Sequence, residues 1–212
     1  MKVLPSICII FEEDKLHFGI KNERVHFILF SVYIIFVALM NTIIVEGGKD
    51  MGNRIYPIGI QNFEKIRKEG YVYVDKTALM YKLVKSGSYY FLSRPRRFGK
   101  SLLISTLEAY FEAKRDLFEG LAVEALEKDW VKRPVFHLDL NIGKYDTPDS
   151  LDKILNETLD YWESLYGTRS AETTLALRFA GVVGRAYEQS GERVAILIDE
   201  YDKPLLQAIG NE

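Results

Sequence analysis

From Met51 onward the apolar positions switch repeatedly between a helical period and a strand period. In VDKTALMYKLVKSG, Leu79, Met80, Leu83 and Val84 fall on one helical face, with Asp75 placed as N-cap and Gly87 as the stop. SYYFL follows as a short aromatic strand, and an arginine-rich turn comes next. A helix from about Lys100 to Lys114 puts Leu103, Leu107, Tyr110 and Phe111 on one stripe. PVFHLDL, Pro134 to Leu140, alternates as a strand. TPDSLDKILNETLDYWESLYG then reads as a helix with Thr147 as N-cap and Pro148 in its first turn. A further helix covers roughly Ala171 to Gln189. RVAILIDEYDKP is a strand of the fully buried type, ending in acidic residues. Helices placed between strands predict a parallel sheet in an α/β fold.

The first fifty residues break this pattern. VHFILFSVYIIFVALMNTIIV, Val25 to Val45, contains no Asp, Glu, Lys or Arg, and as a helix it would span about 30 Å, the thickness of a bilayer core. Lys21 and Arg24 precede it, while Glu46, Lys49, Asp50 and Arg54 follow it. The positive-inside tendency would then place everything after Val45 outside the membrane. A signal peptide fits poorly, since the apolar run is long and begins late. Residues 1–50 are therefore read as an N-terminal extension with three alternatives. It is a stretch upstream of a true start at Met51, a single-pass anchor through 25–45, or an appendage. Residues 51–88 form a helical lead-in and residues 89–212 the core.

Composition narrows the function classes. A net charge of −2 lacks the strongly basic footprint of a nucleic-acid binder. One cysteine, Cys8, excludes an internal disulfide framework and suits a reducing compartment such as the cytoplasm; the alternative is the membrane through 25–45. The three histidines and the cysteine have no zinc-ligand spacing.

Chemistry concentrates in two stretches. RPRRFGKS, Arg94 to Ser101, ends as a phosphate-binding loop ends and lies between a strand and a helix. In such a loop, backbone N–H groups and the helix N-terminus surround the phosphates, here from Arg97, Phe98, Gly99, Lys100, Ser101 and Leu102. The lysine reaches the terminal phosphates and the serine hydroxyl ligates Mg2+. The glycine that normally opens the loop is replaced by Arg94. Arg94, Arg96 and Arg97 either touch phosphate oxygens or pair with carboxylates. VAILIDE carries the second motif about a hundred residues on, where Asp199 would hold the metal and Glu200 would orient and deprotonate an attacking water. Gly-Lys-Ser alone arises by chance in roughly one chain of this length in ten, so the weight rests on both motifs standing on the right elements. Asp202 either assists the metal shell or caps the turn before Pro204. His137, Trp130 and Trp162 read as packed residues.

With both motifs in view, the chain resembles the AAA-ATPase-like family of bacterial proteins related to the AAA+ ATPases. The likeness rests on YPIGIQNFEKIRKEGYVYVDKT, FLSRPRRFGKSLLISTLEAYF and ILIDEYDKP, and it runs from about Tyr56 to the end. It implies a three-layer fold of the P-loop NTPase type, here incomplete at its C-terminal side. It also implies ATP binding by Lys100 and Ser101 with hydrolysis through Asp199 and Glu200. Asp75 and Lys76 lie in a family-like motif, and helix capping is the role assigned to Asp75. In such ATPases the strand after the acidic one lies between the loop strand and the acidic strand, and it carries the residue that senses the γ-phosphate. That strand and the family's nuclease-like C-terminal domain are expected to be missing. Weak turnover by this chain alone follows, with a bared slot that self-association or a second chain would fill.

The leading expectation is an Mg-ATP-binding domain that hydrolyses ATP when complete. The alternative is a non-catalytic, truncated nucleotide-binding or interaction fragment, anchored in a membrane if 25–45 spans one. A nucleic-acid partner rests on family analogy alone, because two or three arginines give too small a phosphate footprint.

Overall fold

The apolar run VAILI becomes the strand around which the other elements are arranged. The computed structural model describes residues 6–12, 55–93, 98–145, 147 and 149–204. Residues 25–45, Arg94 to Arg97, Pro148 and everything after Pro204 lie outside the described residues, so the expectations for a membrane span and for the arginines stand as made. Among the described residues no helix is long and apolar enough to cross a membrane.

In chain order the elements are β1 (Ser6–Glu12), α1 (Phe63–Lys68), α2 (Thr77–Ser86), β2 (Tyr89–Ser93) and α3 (Lys100–Phe111). A 3-10 turn (Arg115–Phe118), α4 (Ala122–Leu126), β3 (Val135–Asp139), α5 (Ser150–Tyr166), α6 (Leu175–Ser190) and β4 (Val194–Asp199) complete them. The expected helices and strands after Met51 are present, with ends shifted by a few residues. Asp75 does not sit at the N-cap position, which falls to Lys76 without a side-chain bond. Its carboxylate instead accepts from the Thr77 N–H at 2.8 Å and, 47 residues on, from the Ala122 N–H at 2.7 Å. It thus ties the start of α2 to the start of α4. Thr147 likewise yields the N-cap of α5 to Asp149 and pairs its hydroxyl with that of Ser150 at 2.7 Å.

The sheet is small and wholly parallel, in the order β2-β1-β4-β3. Alternate residues of β4 enter two different cores. Ala195 and Leu197 join Ile104, Leu107 and Phe111 of α3, with Phe63, Phe118 and Val123 behind them. Val194 and Ile196 join Phe136 of β3, Leu159 and Trp162 of α5, and Val182, Val183 and Ala186 of α6. A strand covered on both faces has no use for polar positions, which is why VAILI is an unbroken apolar run. Trp130 and Trp162 both pack against core, as expected from the sequence.

The order also contains a strand that the residue pattern did not assign. A bared slot was expected between the loop strand and the acidic strand. The structure places β1 there, drawn from the segment read as an extension. The physical signal was present in its apolar run Ile7–Phe11, but the much longer apolar segment at 25–45 overshadowed it.

One buried carboxylate makes the first core sensitive to acid. Glu127 is 6% exposed and accepts from the Tyr110 hydroxyl, from Lys85 at 3.0 Å and from the Asp129 N–H at 3.2 Å. Burial alone would raise its pKa, yet these donors prevail and hold it down at about 2, against 4.5 when unfolded. A depressed carboxylate contributes stability above its unfolded pKa and loses it as pH falls towards the folded one. Urea unfolding should therefore show a loss between pH 4.5 and 2, on the order of 3 kcal/mol in full, that Glu127→Gln removes. An unchanged pH profile in Glu127→Gln would contradict this assignment.

Candidate functional site

The C-terminal ends of parallel strands are where α/β sheets bind ligands, and both motifs arrive there. After β2 the chain turns through Gly99, whose φ of 78° is left-handed, and enters α3 directly. A β-carbon at that φ costs roughly 1–2 kcal/mol, so the glycine is what lets the loop turn into the helix. Lys100 opens α3 and is only 5% exposed. Phe98 is exposed, while Ser101 and Leu102 are half-buried.

Asp199 closes β4 and is 5% exposed. Burial pushes its carboxyl pKa up, and the nearby Ser101 side chain pulls it back. Residues 98 positions apart in sequence are thus brought near one another. Asp199 also accepts from the Glu200 N–H at 3.1 Å. Glu200 has a φ of 55°, a left-handed value unusual for a side chain of this size. Such backbone costs on the order of 1–3 kcal/mol and tends to be kept where function holds it.

The strand register adds groups that the sequence reading did not select. Asp139, at the end of β3, is the register partner of Asp199. Two carboxylates therefore end adjacent strands, and Asp139 raises the Asp199 pKa further. His137 lies two residues earlier, its Nδ1 3.2 Å from a carboxylate oxygen of Glu108 on α3. Burial works against its protonation, but Glu108, Asp139 and Asp199 more than offset it and its pKa is raised. Glu108 and Ser101 are seven residues apart on α3, hence on the same helical face. One face of α3 therefore reaches both β3 and β4. His137 is a packed residue as the sequence suggested, and Asp139 was signalled only by the polar end of an alternating strand.

Beyond Glu200 the turn is anchored by Tyr201, whose ring lies 5.7 Å from Phe91 of β2, and by Lys203, which donates to the Asn141 carbonyl at 2.5 Å. Asp202 is 4% exposed, and among the described residues neither of its carboxylate oxygens has a hydrogen-bond partner. Neither oxygen thus makes a turn-capping bond to a described residue, and turn capping was one of the two roles open to it. Among the described residues no group of three or more His, Cys, Asp or Glu side chains is arranged to hold a metal ion by itself. Of the expected site residues, Gly99, Lys100, Ser101, Asp199 and Glu200 are gathered at one end of the sheet, while Arg97 lies outside the described residues.

A small parallel sheet flanked by helices, with a Gly-Lys-Ser turn and an acidic strand end at the same end, defines a mixed α/β protein compatible with a P-loop-like fold. The chain belongs to the family described as "Predicted AAA-ATPase", whose sequence profile matches residues 57–212. It is 41% identical over 158 residues to an "Uncharacterized protein in vnfD 5'region" of Azotobacter chroococcum mcd 1, a match covering 74% of this chain. The chain spans about 30% of that relative's length. No solved structure matches the chain.

Proposed function

We propose that this chain binds Mg-ATP at the end of its sheet and, with its full complement of elements, hydrolyses it. The observation that carries the reading is the meeting of the Gly-Lys-Ser turn at the start of α3 with the buried Asp199 carboxylate, whose pKa the Ser101 side chain lowers. Ser101 hydroxyl and Asp199 carboxylate are hard oxygen donors, and one or two such protein ligands beside substrate phosphates are what Mg2+ takes. The residues present therefore fit the ion, which when bound neutralises phosphate charge. Support for a three-layer P-loop arrangement comes from the helices and separate cores on the two faces of the sheet.

In this reading the N–H groups from Arg97 to Leu102 surround the phosphates at the start of α3, where the helix dipole favours negative charge. Lys100 approaches the terminal phosphates. Asp199 orients the Ser101 hydroxyl, and these two oxygen donors would hold the metal, which would supply charge neutralisation at the phosphates. Glu200, held in a left-handed backbone conformation, takes the proton of the attacking water.

Titration with a fluorescent ATP analogue and Mg2+ tests the reading. The unsubstituted chain should bind saturably. Lys100→Ala should weaken binding by about tenfold to a hundredfold, the worth of one charge-assisted hydrogen bond. Equal affinity in the two proteins, with the helical circular dichroism unchanged, would overturn the assignment.

A further inference from the structure

The loop strand and the acidic strand do not touch. β2 and β4 each pair with β1, and only through it do they belong to one sheet. Cys8 stands level with Tyr89 on one side and Ile196 on the other; Phe11 is level with Leu92, and Ile10 with Ile198. Asp199, one residue past Ile198, therefore ends β4 at the height at which β2 releases the phosphate loop. Adjacent strands lie about 4.8 Å apart, so β1 sets a separation of nearly 10 Å between β2 and β4. Ser101, in the first turn of the helix that follows β2, and Asp199, at the end of β4, face each other across that separation. Without β1 the two strands would either close up by one strand spacing or lose their common sheet. Either change displaces Ser101 from Asp199 by several ångströms. The segment suits the slot, since SICIIFE has five consecutive apolar residues, Ile7 to Phe11, as a central parallel strand requires.

We infer that insertion of Ser6–Glu12 between β2 and β4 assembles the nucleotide site, so that strand insertion and nucleotide binding are coupled. The N-terminal segment then acts as an intramolecular switch, binding-competent with the strand in and incompetent with it out. The inference rests on the Mg-ATP reading for its second half and on the sheet alone for its first. Coupling is reciprocal, so nucleotide must hold the strand in by the same factor by which the strand raises affinity.

Cys8 is the chain's one cysteine and lies in the middle of β1, which makes thiol alkylation a reading of that strand alone. In the full chain, iodoacetamide should modify Cys8 roughly a hundredfold more slowly than in denaturing urea, as for a strand released only by local opening. Saturating ATP analogue with Mg2+ should slow it further, by about 5–150-fold. Ile9→Pro removes an N–H from a strand paired on both edges, so it should restore fast alkylation and weaken analogue binding at least tenfold. Ile9→Val should behave as the unsubstituted chain. Hydrogen exchange in α5 and α6, which have their own core, checks that Ile9→Pro remains folded.

Alkylation of the native chain at the urea rate would overturn strand insertion. Unaltered analogue affinity in a folded Ile9→Pro chain with a reactive Cys8 would overturn the coupling. A protected Cys8 in an unsubstituted chain that binds no analogue would refute the nucleotide reading, and the coupling with it, while supporting insertion.

Discussion

Glu200→Gln is expected to separate binding from hydrolysis. Removing a positioned general base lowers a rate by roughly 10²–10⁴-fold, whereas an amide of the same shape leaves the phosphate contacts in place. Affinity for the ATP analogue should stay within about threefold of the unsubstituted chain. The substitution is also mild for the fold, because Gln meets the same left-handed backbone at φ 55° as Glu. Phosphate release under single-turnover conditions, with analogue titration alongside, makes the comparison. Hydrolysis undiminished in Glu200→Gln would remove Glu200 from the chemistry; lost binding would move it among the ligands. A parallel Asp139→Asn chain shows whether the second strand-end carboxylate has a share in either step.

Phe136→Ala should give the largest loss of stability. Phe136 is fully buried on β3, its ring stacked on Trp162 at 4.6 Å and 11°, with Tyr166 at 5.6 Å. Truncating a buried phenylalanine typically costs about 3–5 kcal/mol, from lost transfer energy and the cavity left behind. Little can collapse into that space, because strand β3 and helices α5 and α6 are held around it from three directions. Urea unfolding followed by tryptophan fluorescence would report the change. A loss under about 1 kcal/mol would mean that the second core does not close around Phe136. Since β3 carries Asp139 and His137 to the site, the same substitution should also weaken nucleotide binding, although Phe136 touches none of the site residues.

How far each feature was legible depended on whether its cause was local. The helix α3 could be read because Leu107, Tyr110 and Phe111 recur at the helical period, and β4 because VAILI admits only a doubly covered strand. Gly99 was legible as a turn residue for the same local reason, and its φ of 78° bears that out. Capping was less legible. Asp75 and Thr147 have the right chemistry for N-caps, but partners far away or beside them bind those side chains instead. The pairing of Asp75 with the Ala122 N–H joins residues 47 apart, and no window of sequence contains both.

The sequence by itself determined the elements after Met51, the apolar faces they bury, and the residue types of the proposed site, Lys100, Ser101, Asp199 and Glu200. Each follows from spacing within a few residues, which is the range over which backbone sterics and helical or strand periods act. Only the tertiary structure decided which strands are neighbours. Parallel partners are joined by long connections, so their register leaves no mark in the local pattern. It brought Asp139 beside Asp199, set Glu108 against His137 and buried Asp202 with no hydrogen-bond partner among the described residues. It also placed Ser6–Glu12 between the two strands that carry the motifs. The reason is the same in every case: contacts between distant segments are selected by the packing of whole faces, and a face exists only once the chain has folded.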